Sequence, residues 1–149
     1  MYRFSKDLNM KNFTFFLILF FWGSGCVHGQ IHISTNLWQY GKFNYKTNLY
    51  DSAFKDNQAS GSFEFDKDFT ILKHKADSKT SIYLIRSKKK DEVNNRWEFD
   101  VISDAGYSYY MIIDMLNKNM RFIYRVKGFA YVAQFGIERI WIDKQDTNN

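Results

Sequence analysis

The chain contains no proline and only one cysteine, and each shortage limits what the protein can be. Without proline, no backbone N–H group is missing from a β-sheet ladder. The single cysteine, Cys26, excludes a disulfide within the chain, so the domain depends on its core alone. Histidine is scarce too: His28, His32 and His74 lack the spacing of a metal site, and His74 is expected at the surface. The sequence therefore predicts no metal and no cofactor.

Aromatic residues are abundant by contrast. Fifteen Phe, ten Tyr and four Trp make up 19% of the chain. Aromatic side chains suit a pleated, half-buried surface, so the composition favours β-structure. The apolar fraction of 45% is too high for a disordered chain. The formal net charge of +5 is mild and spread along the sequence, which indicates solubility rather than a nucleic-acid surface.

Residues 1–29 have the pattern of an export leader. Lys11 is followed by about ten mostly apolar residues, the length of a signal-peptide core and too short to span a bilayer. Either Met1 or Met10 suits the start of such a leader. Two processing routes stay open: cleavage before Gln30, or lipidation of Cys26, because residues 23–26 resemble a lipobox. We therefore expect a periplasmic, secreted or lipid-anchored envelope protein that meets the membrane only through its leader or anchor.

From Gln30 onward the sequence predicts one all-β domain, residues 30–149. The clearest alternation places Met120, Phe122 and Tyr124 on one face and Arg121 on the other. Similar alternation covers 62–66, 97–101 and 107–114, and further strands are predicted at 30–34, 37–45, 69–74, 80–86, 129–135 and 137–142. No stretch has convincing helical spacing, although 48–56 is the weakest exclusion.

Short turn signals separate these strands, at 66–68, 103–106, 116–119 and 127–128, with a charged loop at 88–95 and a polar break at 51–61. The pattern predicts an antiparallel meander of about eight or nine strands that forms a small barrel or a sandwich. In outline, a leader followed by aromatic-rich strands resembles lipocalin-like exported proteins. The Gly-x-Trp signature is absent, since the glycine near Trp38 has the wrong spacing, and no residue roles are carried over from that likeness.

No catalytic constellation is evident in the sequence. Nothing marks His32 or His74 as a partner for a serine, and no Gly-x-Ser-x-Gly elbow is present. Glu98 and Asp100 share a strand face, but that face is the polar one opposite the aromatic residues, so we interpret them as surface carboxylates. Acidic residues follow directly after the three lysines at 88–90, which opposes a nucleic-acid site. The sequence therefore predicts a protein that is not an enzyme and does not bind nucleic acid.

The aromatic residues on inward strand faces remain as candidates for function. They form either a packed core or a pocket for a small apolar or aromatic ligand. The candidate ligand-binding residues are Trp97, Tyr107, Tyr109, Tyr124 and Tyr131. The leading hypothesis is a non-enzymatic small-ligand binding module. The alternative is an envelope interaction or inhibitor protein with a solid core, which binds a protein partner through a sheet edge or through the face around Tyr110, Ile112 and Ile123.

Overall fold

The computed structural model describes residues 30–51, 55–57 and 59–143. The predicted leader, residues 1–29 with Cys26, and residues 144–149 lie outside these ranges. The described residues form ten β-strands and no helix, so they contain no helix able to cross a membrane. The strands are β1 (Ile31–Asn44), β2 (Leu49–Tyr50), β3 (Lys55–Asn57), β4 (Gly61–Phe65), β5 (Ile71–Ala76), β6 (Lys79–Asp91), β7 (Arg96–Ser103), β8 (Ser108–Asp114), β9 (Asn119–Val126) and β10 (Phe129–Ile142).

Eight of these strands close into an antiparallel barrel, which confirms the predicted all-β meander and decides for a barrel over a sandwich. Neighbours from β4 to β10 pair in sequence order, and β1 joins both ends by pairing with β4 and β10. The short strands β2 and β3 pair with the second half of β1, beyond the end of β4. Closure is consistent with the aromatic composition, because an eight-stranded barrel is just wide enough to be filled by side chains or to hold one small ligand.

Strands β1 and β10 are each one continuous element, so the prediction of two strands in each region was wrong. The reason is a pair of irregularities where the two strands meet. Thr35 pairs with Ile137, while Asn36 and Glu138 have no partner in the ladder. An extra residue shifts the inward face by one position, so the alternation changes phase and looks like a break in the strand.

Strand β6 also runs further than predicted, through the lysines that were expected in a charged loop. Lys88 and Lys90 pair with Phe99 and Trp97 of β7, and only residues 92–95 form the turn. The Lys88 ammonium lies 4.8 Å from the centroid of the Phe69 ring. A long lysine stem can cover apolar surface while its charge stays in water, which lets charged residues extend a strand.

The barrel has one filled end and one open end. The filled end carries the turns at 66–70, 92–95 and 115–118, and the open end carries those at 77–78, 104–107 and 127–128. The side chains that fill the middle and the filled end are almost completely buried: Ile33, Phe63, Phe65, Leu72, Phe99, Val101, Met111 and Met120. Inward side chains nearer the open end are only partly buried, so the two ends differ in packing.

The turn at 66–70 covers the filled end and depends on one carboxylate. Asp66 Oδ1 accepts the N–H groups of Thr70 at 2.7 Å and Ile71 at 2.8 Å, and its Oδ2 accepts the Thr70 hydroxyl at 2.6 Å. Burial alone would raise the pKa of Asp66, but these hydrogen bonds outweigh it and lower the pKa. The turn holds Phe69 at a φ of 55°, with its ring 5.4 Å from that of Phe65.

Replacing Asp66 by alanine should therefore lower the free energy of unfolding by about 2 kcal/mol, because hydrogen bonds to a charged group are among the stronger ones in proteins. Urea denaturation followed by tryptophan fluorescence measures the change. Asp68→Ala, an exposed position in the same turn, is the control and should stay within about 0.5 kcal/mol of the wild type. Equal losses in both variants would contradict this account of the turn.

Candidate ligand-binding site

Three of the five predicted ligand-binding residues meet at the open end of the barrel. Tyr109, Tyr124 and Tyr131 lie on the inward faces of β8, β9 and β10. The ring centroids of Tyr109 and Tyr124 are 5.7 Å apart, and Tyr131 is the cross-strand partner of Tyr124. Tyr40, from the second half of β1, stacks on Tyr131 at 6.0 Å. The closed barrel thus brings together tyrosines from four strands.

The other two predicted residues occupy different places. Tyr107 precedes β8 at the rim of the open end, where it is exposed and packs edge-on against Tyr124 at 5.9 Å. Trp97 lies at the opposite, filled end, where it stacks on Phe99 at 6.4 Å and pairs with Ile113 of β8. Trp97 is therefore separated from the tyrosines by the packed middle of the barrel.

His74 also faces the open end, so the expectation of a surface histidine was wrong. Strand β5 continues to Ala76, which places His74 inside the strand and in phase with the buried Leu72. Its ring stacks on Phe63 with centroids 4.2 Å apart, and the edge of Phe135 lies at 5.3 Å. Its Nε2 atom is buried and has no hydrogen-bond partner among the described residues, and burial lowers the pKa of His74.

Tyr83 is a second inward residue that sequence reasoning missed. It lies opposite Leu72 on β6, 6.0 Å from Tyr109 and 5.2 Å from Phe122. Burial, with smaller contributions from Tyr109 and Asp104, raises the pKa of Tyr83 to about 12. Residues 82–85 are apolar on both faces, so their alternation did not show which side chains point inward.

Three phenylalanine rings form the floor beneath these side chains. Phe63 contacts Phe122 at 5.7 Å and Phe135 at 5.1 Å, and Phe122 contacts Phe135 at 6.0 Å. The mouth, as we call it, is the open end lined by His74, Tyr83, Tyr109, Tyr124 and Tyr131 above this floor. It is a cluster of aromatic rings that carry polar groups.

His74, Tyr83 and Tyr109, three polar groups of the mouth, are uncharged at neutral pH. Burial and the neighbouring Tyr124 and Tyr107 raise the pKa of Tyr109, so its phenol keeps its proton. The nearby Lys42 ammonium lies 3.9 Å from the centroid of Phe129 and 3.7 Å from Asp51. The mouth therefore offers hydroxyl donors rather than charges.

A histidine and carboxylate cluster lies on the outer surface, at the seam where β1 meets β4 and β10. His32 Nε2 donates to Asp143 at 2.7 Å, its ring stacks on Trp141 at 5.2 Å, and its Nδ1 is 4.0 Å from Glu64. Glu64 also pairs with Lys75 at 3.1 Å. These contacts join four strands, and no group of three or more His, Cys, Asp or Glu in the described part of the chain is placed to hold a metal ion.

Glu98 and Asp100 lie on the outer face of β7, as their alternation indicated. Glu98 is 2.8 Å from the Arg96 guanidinium, and Asp100 accepts a hydrogen bond from the Ser87 hydroxyl at 2.5 Å. Burial raises the pKa of Tyr110 to about 12, and its hydrogen bond to Glu98 acts in the same direction. Each carboxylate thus has a local structural partner.

A cleft of about 490 Å³ runs along the outer face of β6 to β9, next to these carboxylates. Its lining consists of Arg86, Asp100, Val101, Ile102, Ser108, Tyr109, Tyr110, Ile123 and Arg125. Tyr110 and Ile123 belong to the face that the sequence suggested for a partner, and Ile112 beside them is buried. The outer face is therefore not a uniformly polar surface.

Comparison of the chain with protein-family models, with curated proteins and with solved structures found no match. The function must therefore be inferred from the chemistry of the mouth and of the outer cleft. A barrel fold alone does not indicate a function, because one architecture supports many activities.

Proposed function

We propose that the protein is an exported, non-enzymatic binding module that holds one small, uncharged, aromatic ligand in the mouth. The observation that supports this proposal is the convergence of four inward tyrosines and His74 at a single open end. Barrel mouths are a common location for small-molecule sites, which are mostly apolar with a few placed polar groups. The mouth has that composition.

A purely structural core would not need the polar groups found here. A buried polar atom without a partner costs about 1–3 kcal/mol, and His74 Nε2 is such an atom. A ligand that hydrogen-bonds to Nε2 would satisfy this atom, and the hydroxyls of Tyr109 and Tyr124 offer further hydrogen bonds to the same ligand.

The chemistry of the mouth favours an uncharged, planar ligand. A charged ligand would need a counter-ion when it leaves water, and the described lining supplies neutral phenols and a neutral imidazole. The floor of Phe63, Phe122 and Phe135 suits stacking and edge contacts with an aromatic ring. An aromatic molecule with one or two hydroxyl or carbonyl groups fits this lining best.

The absence of an enzymatic role remains part of the proposal. In the described mouth, the rings around His74 provide no carboxylate to orient it, whereas general acid–base catalysis by histidine usually uses such a group. His32 does have carboxylate partners, but it stacks on Trp141 at the outer seam rather than facing a pocket.

The test of the mouth uses 1-naphthol, an uncharged aromatic alcohol, titrated into the full chain by isothermal calorimetry. We expect saturable binding of one molecule, weakened at least tenfold in Tyr109→Ala because a ring and a hydroxyl are lost from the wall. Tyr45→Ala is the matched control, since Tyr45 is exposed, packs edge-on against Phe43 and is not one of the residues that line the mouth. Its affinity should equal that of the wild type.

Tyr109→Phe separates the hydroxyl from the ring and should keep most of the stacking while losing part of the affinity. Circular dichroism verifies that each variant is folded. Absence of saturable 1-naphthol binding in the wild type, or equal weakening by Tyr109→Ala and Tyr45→Ala, would reject the mouth as the binding site.

Export is tested by mass spectrometry of the protein purified from the cell envelope and from the medium. A denatured mass that begins at Gln30 indicates release, and one that begins at an acylated Cys26 indicates a lipid anchor. Extra mass in the native spectrum that disappears on denaturation reveals a ligand carried from the cell. Recovery of an unprocessed chain from the cytoplasm alone would reject the export part of the proposal.

A second candidate function is binding of an envelope protein through the outer sheet face. It is favoured by the exposed apolar side chains Ile71, Ile82 and Leu84 on β5 and β6, where Ile71 pairs with Leu84. Such neighbouring apolar residues on a surface often mark an interaction site. In this case Leu84→Asp, but not Tyr109→Ala, would release a partner that copurifies with the wild-type protein.

A further inference from the structure

The outer cleft has features that the mouth does not share. It runs along β6 to β9, shares only Tyr109 with the mouth, and has two arginines in its lining. Arg86 is the extra, unpaired residue at the irregularity of β6 between Ile85 and Ser87, and it lines the cleft. Arg125 reaches it from β9, with its guanidinium carbon 5.5 Å from the centroid of Tyr110.

These two arginines differ from others on the same face by having no carboxylate partner. Arg96 pairs with Asp91 and Glu98, and Arg121 pairs with Asp114. Neither Arg86 nor Arg125 forms an ion pair with any described residue. A planar guanidinium presents several donors suited to a carboxylate or phosphate, so two unpaired guanidinium groups in one cleft form a site for an anion.

The one acidic residue in the cleft does not neutralise the arginines. Asp100 accepts the Ser87 hydroxyl and forms no ion pair with a described residue. The hydroxyl of Tyr110 is hydrogen-bonded to Glu98, so its ring rather than its polar tip contributes to the cleft. The two arginines and Asp100 give the lining a net charge of +1, which favours a singly charged anion.

The rest of the lining is apolar and continues beyond the cleft. Ile102 and Ile123 form part of its wall, and Ile102 pairs with Leu84 of β6, which is 52% exposed. Ile82 and Ile71 extend this surface across β5 and β6. A volume of 490 Å³ is in the range of small-molecule pockets.

We infer that the outer cleft is a binding site for an aliphatic carboxylic acid. Its carboxylate lies between the guanidinium groups of Arg86 and Arg125, and its alkyl chain lies along Ile102 and Leu84. This ligand has one negative charge, which matches the net positive charge of the cleft. It also has a flexible apolar tail, which matches the apolar surface beside the cleft. The site is separate from the mouth, which takes an uncharged ring.

The probe is decanoate, titrated into the full chain by isothermal calorimetry below the concentration at which it forms micelles. We expect saturable binding that weakens about five- to tenfold in Arg86→Gln and in Arg125→Gln, because each removes one partly exposed charge pair. Arg139→Gln is the matched control, since Arg139 also has no carboxylate partner among the described residues but lies over Trp141, outside the cleft. Its affinity should not change.

Asp100→Asn should change the affinity for decanoate in the opposite direction. Removing the negative charge next to the carboxylate should tighten decanoate binding about threefold, while the side-chain oxygen can still accept the Ser87 hydroxyl. Decanol, which has the same chain without the charge, should bind at least tenfold more weakly than decanoate. Higher salt should weaken decanoate binding, because the site is open to solvent.

The inference is overturned if decanoate does not saturate, if Arg139→Gln weakens it as much as Arg125→Gln, or if decanol binds equally well. Tyr124→Ala distinguishes the two sites, because Tyr124 lines the mouth and not the outer cleft. Loss of decanoate binding in that variant, with full binding retained in Arg86→Gln, would place the acid in the mouth and reject the outer cleft as its site.

Discussion

Replacing Phe63 by alanine is expected to lower the free energy of unfolding by about 3–5 kcal/mol, the usual cost of removing a buried phenylalanine side chain. Phe63 is fully buried on β4. Its ring lies 4.2 Å from His74, 5.1 Å from Phe135 and 5.7 Å from Phe122. Alanine removes the common neighbour of these three rings, and because they come from three different strands, the barrel cannot collapse easily around the cavity.

Such a loss is a large part of the 5–15 kcal/mol by which a typical domain is stable, so Phe63→Ala should be marginal at 37 °C. Urea denaturation followed by circular dichroism measures it. Leu84→Ala is the control: the same kind of truncation on the outer face, where the side chain is half exposed, should cost below about 1 kcal/mol. A loss in Phe63→Ala no larger than the control would mean that the floor is not packed and that the mouth extends through the barrel.

Much of the fold followed from alternation along the sequence. Strand β9 is the clearest case: Met120 and Phe122 are buried, whereas Arg121 and Arg125 lie on the outer face. A side-chain period of two that continues over several residues leaves little freedom in the register of a half-buried strand. Short turns between such strands then favour neighbouring antiparallel pairs, which is the order observed from β4 to β10.

Closure of the barrel was not predictable in the same way. It depends on β1 and β10, whose alternation changes phase at the unpaired residues Asn36 and Glu138. Within a single sequence, such a shift in the alternation of inward and outward side chains looks the same as a turn, and only the partner strand shows that the strand continues. The contact between His32 and Asp143 shows the same limit, since the two residues are 111 positions apart and meet only because β1 pairs with β10.

The candidate site was predicted where alternation was clean and missed where it was not. Tyr109, Tyr124 and Tyr131 stood on clear inward faces. Tyr83 was missed because its neighbours Ile82 and Leu84 are apolar as well, and those two lie on the outer face. His74 was missed because a histidine between two lysines suggests a solvated position. Packing against Phe63, rather than a hydrogen bond, offsets the free-energy cost of burying its ring.

Replacing His74 by phenylalanine should stabilise the protein and weaken its ligand binding at the same time. Phenylalanine keeps the stack on Phe63 and removes a buried nitrogen that has no partner, so we expect a gain of about 1 kcal/mol at pH 7.5, or about 4 °C in melting temperature. His74→Gln, which keeps a polar group at this position, should show no gain. Affinity for 1-naphthol should fall in the phenylalanine variant, because the hydrogen-bonding group is lost.

The stability difference should also depend on pH in a defined direction. Burial lowers the pKa of His74 in the folded protein, so the unfolded chain binds its proton first as pH falls below about 6.5. In the wild type, the stability associated with neutral His74 is complete above pH 6.5 and declines as pH falls towards the folded-state pKa, by at most about 1.4 kcal/mol per pH unit.

His74→Phe lacks this contribution, so its stability advantage over the wild type should grow between pH 7.5 and 5.5. The contributions of all other titrating groups cancel when the two proteins are compared. A constant difference across that range would mean that His74 is protonated equally in both states, which contradicts its burial against Phe63 in the mouth. A gain in stability with unchanged 1-naphthol affinity would instead leave His74 as a core residue and restrict the binding site to the tyrosines.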